Sequence, residues 1–228
     1  MKYYIANPDL DKQIAEIRRK IRLSMNGIVS DQMFKNGISY KKNYGVDIPR
    51  IKEIAKLYIP NNDLAQRLWD LQIRETMIMA TLLQPIDKFS ETKAQDWVVT
   101  FDQIEIVEQT CMNLLCKLPI APLLCSKWAF APEVWIQITA YILAARTVSE
   151  LSQSEVTKLI ERGLKISDTT ELHLYKAIAL YFCRCCRKNK ETAIYIQKAI
   201  ESFLQSSSRS QQYIYTEVQE EILFLNIL

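Results

Sequence analysis

Glycine is scarce in this chain, with 4 in 228 residues. Sheet-and-turn architectures need glycine where the backbone takes a positive φ, so this supply argues against an all-β fold. Histidine is scarcer still, and His173 stands alone. The six cysteines, Cys111, Cys116, Cys125, Cys183, Cys185 and Cys186, form no CxxC pair matched by a second such pair or by a histidine pair. A tetrahedral zinc site needs that donor set, so no metal is expected, and no other cofactor is called for. The opening MKYYIANPDLDK lacks the apolar run of a signal peptide, and no stretch approaches a membrane span. A cytoplasmic protein with reduced thiols is expected, its small cysteines filling contacts between helices.

What is present is ordinary in amount and uneven in placement. Hydrophobic residues make up 49% and charged residues 24%, the balance of a soluble globular chain. The formal net charge is +3. Residues 12–56 hold eleven Lys/Arg against Glu16, Asp31, Asp47 and Glu53, a local +7 that leaves −4 for the remainder. Such a segment suits a phosphate backbone, and it equally suits a solvated helix face with snorkelling lysines.

Helical periodicity runs through the sequence and no alternating strand pattern breaks it. Ile14, Ile17, Ile21 and Met25 trace the first apolar stripe. Asn26-Gly27 and Asn36-Gly37 read as helix stops, and Asp47-Ile48-Pro49 as a start. Further helices are predicted over 64–71, 74–83, 92–99, 104–118, 133–148, 152–164, 170–188, 190–204 and 213–227. The 152–164 helix is capped by Ser152 or Ser154, with Glu155 in its first turn. Short helices with short links imply antiparallel pairs stacked side by side. The expectation is an all-α, HEAT-like helical-repeat array with a concave face, forming one domain over residues 1–228. A globular helical bundle is the alternative.

Three segments resemble the HEAT-like-repeat DNA alkylation-repair glycosylases, the AlkD-like family. Tyr44-Gly45-Val46-Asp47-Ile48-Pro49-Arg50-Ile51-Lys52 is similar to that family's Gly-x-x-x-Pro-x-x-Arg/Lys opening of a helix. Leu68-Trp69-Asp70-Leu71-Gln72-Ile73-Arg74-Glu75 is similar to its Leu-Trp-x-x-x-x-Arg-Glu turn. Lys127-Trp128 and Val134-Trp135-Ile136-Gln137 make the third, and Lys176-Ala177-Ile178 adds a weaker match. The set runs in order from residue 44 to about residue 146.

The resemblance implies excision of alkylated purines, a hydrolase reaction at an already labile glycosidic bond. A carboxylate would stabilise the developing oxocarbenium sugar, aromatic rings would hold the damaged nucleotide, and an arginine would engage the backbone. That carboxylate falls on Glu108; a slip in alignment would move it to Asp102 or Glu105. The aromatic and guanidinium positions fall on Ile104, Ile138 and Leu180, so three of four signature side chains are absent. Trp69, Trp97, Trp128 and Trp135 are expected in the core. Cys183-Arg184-Cys185-Cys186-Arg187-Lys188 reads as buried thiols with cations at a helix end.

The DNA-contacting candidates are Lys41, Lys42, Tyr44, Arg50, Lys52 and Arg74, a basic group with an aromatic among them, suited to phosphate contact and stacking. Arg74, beside Glu75, equally fits a structural salt bridge. The expected partner is double-stranded DNA, damaged duplex included. Two other readings stay open: a non-catalytic binder of distorted or branched DNA, and a helical-repeat scaffold for protein partners.

Overall fold

The computed structural model describes residues 4–226. Ile227, expected in the last helix, and the first three residues of the opening segment lie outside the described residues. Among the described residues there are thirteen α-helices and no strand, as the periodicity requires. A first compact unit over residues 1–93 holds α1 (Pro8–Leu23), α2 (Gly27–Lys35), α3 (Ile48–Ala55), α4 (Asn62–Asp70) and α5 (Arg74–Leu83). Next in sequence is α6 (Glu91–Val98). The second unit, residues 94–228, holds α7 (Ile104–Asn113), α8 (Ala121–Trp128), α9 (Val134–Arg146), α10 (Gln153–Lys165), α11 (Leu172–Lys188), α12 (Lys190–Ala199) and α13 (Arg209–Phe224).

Packing follows chain order, as expected of helix pairs. In the first unit α4 folds back on α5, and α3 lies against α5. In the second, α7, α9, α11 and α13 pack side by side in that order. The intervening helices form the other layer, with α8 against α9 and both α10 and α12 against α11. Central position explains composition: α9 buries every residue from Ile136 to Ala145 and is apolar nearly all round. Trp69, Trp97 and Trp128 are each 1% exposed, core residues as predicted, whereas Trp135 is half-buried against the His173 ring.

Local chemistry sets the helix ends. Asn7 accepts a hydrogen bond from the Leu10 N–H, with Pro8 in the first turn and Lys20 and Arg22 in the last. Ser152 and Glu155 form a reciprocal capping box on α10, and those hydrogen bonds from Ser152 hold the Glu155 carboxyl below its ordinary value. Two readings are corrected. Asn26 is not a stop; α1 already ends at Leu23, Met25 lies outside it, and Asn26 accepts from the Val29 N–H to open α2. The helices predicted over 104–118 and 190–204 each finish in a separate 3-10 turn, at Leu115–Lys117 and Glu201–Gln205.

All six cysteines are free. Burial pushes Cys125, Cys183, Cys185 and Cys186 from an ordinary value of 9.0 up to about 12, and Cys111 well upward. A raised folded-state pKa contributes stability that is whole below the unfolded value and falls as pH climbs toward the folded one. Urea midpoints are therefore expected to hold up to about pH 9 and then decline toward about pH 12. A profile that stays level across that window would contradict the burial of these thiols. No helix among the described residues is long and apolar enough to cross a membrane, and none of their His, Cys, Asp and Glu side chains group to hold a metal ion.

Candidate nucleic-acid interface

The basic surplus predicted near the amino end belongs to the first unit, which carries +5 over residues 1–93 against −2 over 94–228. Its organising feature is a buried ion pair. Glu75 is 0% exposed, and its carboxylate accepts from the Tyr44 N–H at 3.1 and 3.2 Å and from the Val46 N–H at 3.3 Å. Arg74 Nη1 donates to Glu75 Oε1 at 3.1 Å and to the Val46 carbonyl at 2.7 Å. The Arg74 backbone N–H bonds the Lys42 carbonyl at 3.0 Å. One of the three resembling segments thus pins down another.

This arrangement corrects the role expected for Arg74. At 3% exposure its guanidinium is spent inside the protein, so it positions the 42–46 loop and does not reach a phosphate. The loop it holds presents Lys41 and Lys42 to solvent, with the Lys42 ammonium 5.0 Å from the centre of the Tyr44 ring. Asn26, after the α1–α2 turn, gives its N–H to the Tyr44 carbonyl at 2.8 Å, and nearby Ser24 accepts from Arg50 Nε at 3.1 Å. Arg50 also pairs with Glu53 at 2.8 Å on the surface. Lys41, Lys42, Tyr44 and Arg50 therefore gather around one turn. Lys52 leaves α3 about 200° around from Arg50 and lines an apolar hollow with Ala55, Tyr58 and Leu82.

In the second unit the ends of α7, α9 and α11 enclose an open groove of about 720 Å³. Met112, Leu180, Arg146 and Arg184 line it. Glu108 is exposed on α7, one turn before Met112, and Ile104 lies one turn earlier on the same face. Leu180 is 41% exposed and Ile138 is 1% exposed, so the position where the resemblance expects an arginine lies in the core. Two guanidinium groups lie further along the same helices. Arg146 stands two turns along α9 from Ile138, and Arg184 one turn along α11 from Leu180. Both are exposed, and neither has a hydrogen bond or ion pair among the described residues.

Other cations at the groove are occupied. Arg187 is bridged by both carboxylate oxygens of Glu221, one contact at 2.8 Å, and Lys188 Nζ donates to the Val148 carbonyl at 2.9 Å. Of the alternative carboxylates, Asp102 is raised by desolvation above its ordinary value, and Glu105 is half-buried. Charge counting along the sequence passed over Arg146 and Arg184, because only the packing of α9 on α11 brings them together.

Paired helices in two layers, with exposed cations on the loop of one unit and in the groove of the other, define a HEAT-like helical-repeat protein. The DNA alkylation repair enzyme family matches residues 14–217, and the chain belongs to that family. Among solved structures it resembles a protein from "a new family of proteins related to the HEAT-like repeat DNA glycosylases with affinity for branched DNA structures". The two are 14% identical, with 93% of this chain and 95% of that one covered and a TM-score of 0.75, a likeness of fold. A designed armadillo repeat protein is 13% identical, covers 76% of this chain and 92% of its own, and has a TM-score of 0.37. No curated protein matches the chain.

Proposed function

We propose that this protein binds the backbone of double-stranded DNA, intact or distorted, through Lys41 and Lys42 beside Tyr44 and through Arg146 and Arg184. The observation that carries the reading is the pair Arg146 and Arg184, exposed, unpaired among the described residues and sharing one groove. Leaving cations without carboxylate partners preserves their charge for phosphate oxygens. Glu108, on a helix face leading to the groove, is the carboxylate that would stabilise an oxocarbenium sugar.

A second reading, binding of branched or distorted DNA without excision, has its own support. Ile104, Leu180 and the buried Ile138 stand where the resemblance expects aromatic and arginine side chains. The structurally similar protein is described as having affinity for branched DNA.

Binding to duplex with and without a methylated purine, and to a branched junction, separates the readings when base release is followed in the same samples. Two phosphate contacts in a unit predict a contribution of roughly −2 from that unit to the slope of log affinity against log salt. The double variant Arg146→Ala/Arg184→Ala should flatten it by about 2. Release abolished by Glu108→Gln supports excision; salt-sensitive binding with no release supports the non-catalytic reading. Absence of binding to any of these DNAs sinks both and favours a protein-interaction scaffold.

A further inference from the structure

Helix α2 buries none of its nine residues. Phe34 is 68% exposed and Ile28 83%, with Leu23 at 74% and Met25 at 67% just before the helix. Apolar side chains this exposed call for a partner. Their arrangement says which kind. A helix that docks on a protein groove, or on a second copy of itself, carries apolar residues at i, i+3, i+4 and i+7. From Ile28 those positions are Asp31, Gln32 and Lys35, all polar. Phe34 projects about 120° around from Ile28, so the two make no stripe.

Cations neighbour Phe34 along the chain. Lys35 adjoins Phe34 in sequence, and the chain after α2 turns at Gly37 and leads into Lys41 and Lys42. Lys35 and Lys41 are exposed and without an ion-pair partner among the described residues. The Gly37 N–H bonds the Phe34 carbonyl at 3.0 Å and the Ile38 N–H bonds the Met33 carbonyl at 3.0 Å. Phe34 thus stands where the basic loop departs from the helix. An exposed ring on a segment whose neighbouring lysines are exposed complements a partner that is anionic along its backbone and offers flat apolar faces one at a time. Unpaired bases have that chemistry, and apolar wedges and aromatic platforms are the side chains that engage them.

We infer that Phe34 receives an unpaired base where the DNA helix is interrupted, making α2 the element that favours opened over intact duplex. The inference rests on the DNA-binding reading above and adds a substrate preference to it.

The test compares a blunt duplex with the same duplex carrying an unpaired thymine bulge, by fluorescence anisotropy with wild type, Phe34→Ala and Phe34→Trp. The bulged duplex should bind tighter to wild type. Phe34→Ala should weaken it about tenfold while changing the blunt duplex less than about twofold, and Phe34→Trp should retain the preference. Because Phe34 is not packed in the core, the melting temperature of Phe34→Ala should match wild type. Equal weakening on both DNAs, or none on either, overturns the inference while DNA binding stands. Failure of wild type to bind either DNA removes the underlying reading as well. A wild-type dimer in sedimentation that Phe34→Ala dissolves would assign the surface to a second copy and overturn the inference.

Discussion

Glu75→Ala is expected to lower stability by about 3–5 kcal/mol, the cost of breaking a buried ion pair from one side. The side chain is wholly enclosed and serves three donors at once: the Tyr44 and Val46 N–H groups and the Arg74 guanidinium. Alanine would take this acceptor from the Tyr44 and Val46 N–H groups and the counter-charge from the buried Arg74 guanidinium. For a chain of this length the loss corresponds to a melting point lower by on the order of 10 °C. Glu75→Gln, which retains an acceptor oxygen but not the charge, should fall between. The comparison pair is Arg67 and Asp11, 3.2 Å apart with Asp11 61% exposed, where removing the carboxylate should cost less than about 1 kcal/mol. Thermal or urea unfolding of the three variants checks the order. Equal effects at Glu75 and Asp11 would contradict the account.

Gly45→Ala is expected to be nearly as severe, for a reason of space. Gly45 has φ +69°, and a Cβ there would lie 2.1 Å from the Asn26 carbonyl oxygen and 2.8 Å from the Ser30 nitrogen. Both are backbone atoms at the start of α2, so no rotamer relieves the contact. The left-handed conformation alone costs about 1–2 kcal/mol, and displacing α2 from the loop should bring the total to on the order of 3 kcal/mol. Gly37 provides the control. Its φ is +83° with nothing within 4 Å of a Cβ, so Gly37→Ala should show the conformational cost alone. If the two variants unfold at the same denaturant concentration, the close approach of α2 is not what fixes Gly45.

Features held by neighbouring residues in sequence were legible. The α5 bounds, the Asp47 start of α3 and the Ser152 cap were all readable because each depends on side chains within a turn of one another. Helix α2 gave no stripe to read because it has no buried face. Helix α8, with Pro122 in its first turn, is not among the helices that the periodicity predicts. At the candidate site, the cluster of Lys41, Lys42 and Tyr44 was legible from adjacency alone. Arg74 was not, since an arginine beside a glutamate looks the same in sequence whether it faces water or the interior. Arg146 and Arg184 lie on separate helices, and no local pattern joins them. The charge pattern fitted a polyanion and a solvated helix face equally, and burial decided which cations remained exposed.

The way α2 is fastened has a consequence for how this protein can change. Its ties to the 43–45 loop run largely through main-chain atoms and small groups: the Asn26 N–H to the Tyr44 carbonyl, the Ser30 hydroxyl to the Asn43 carbonyl, and the bare face of Gly45. The side chains at 28, 31, 32, 34 and 35 take no part in these ties. Their identities can therefore be exchanged, by drift or by design, with little penalty to folding. The helix is a replaceable surface on a fixed mount, and selectivity among nucleic-acid shapes can diverge there while the rest of the chain stays as it is.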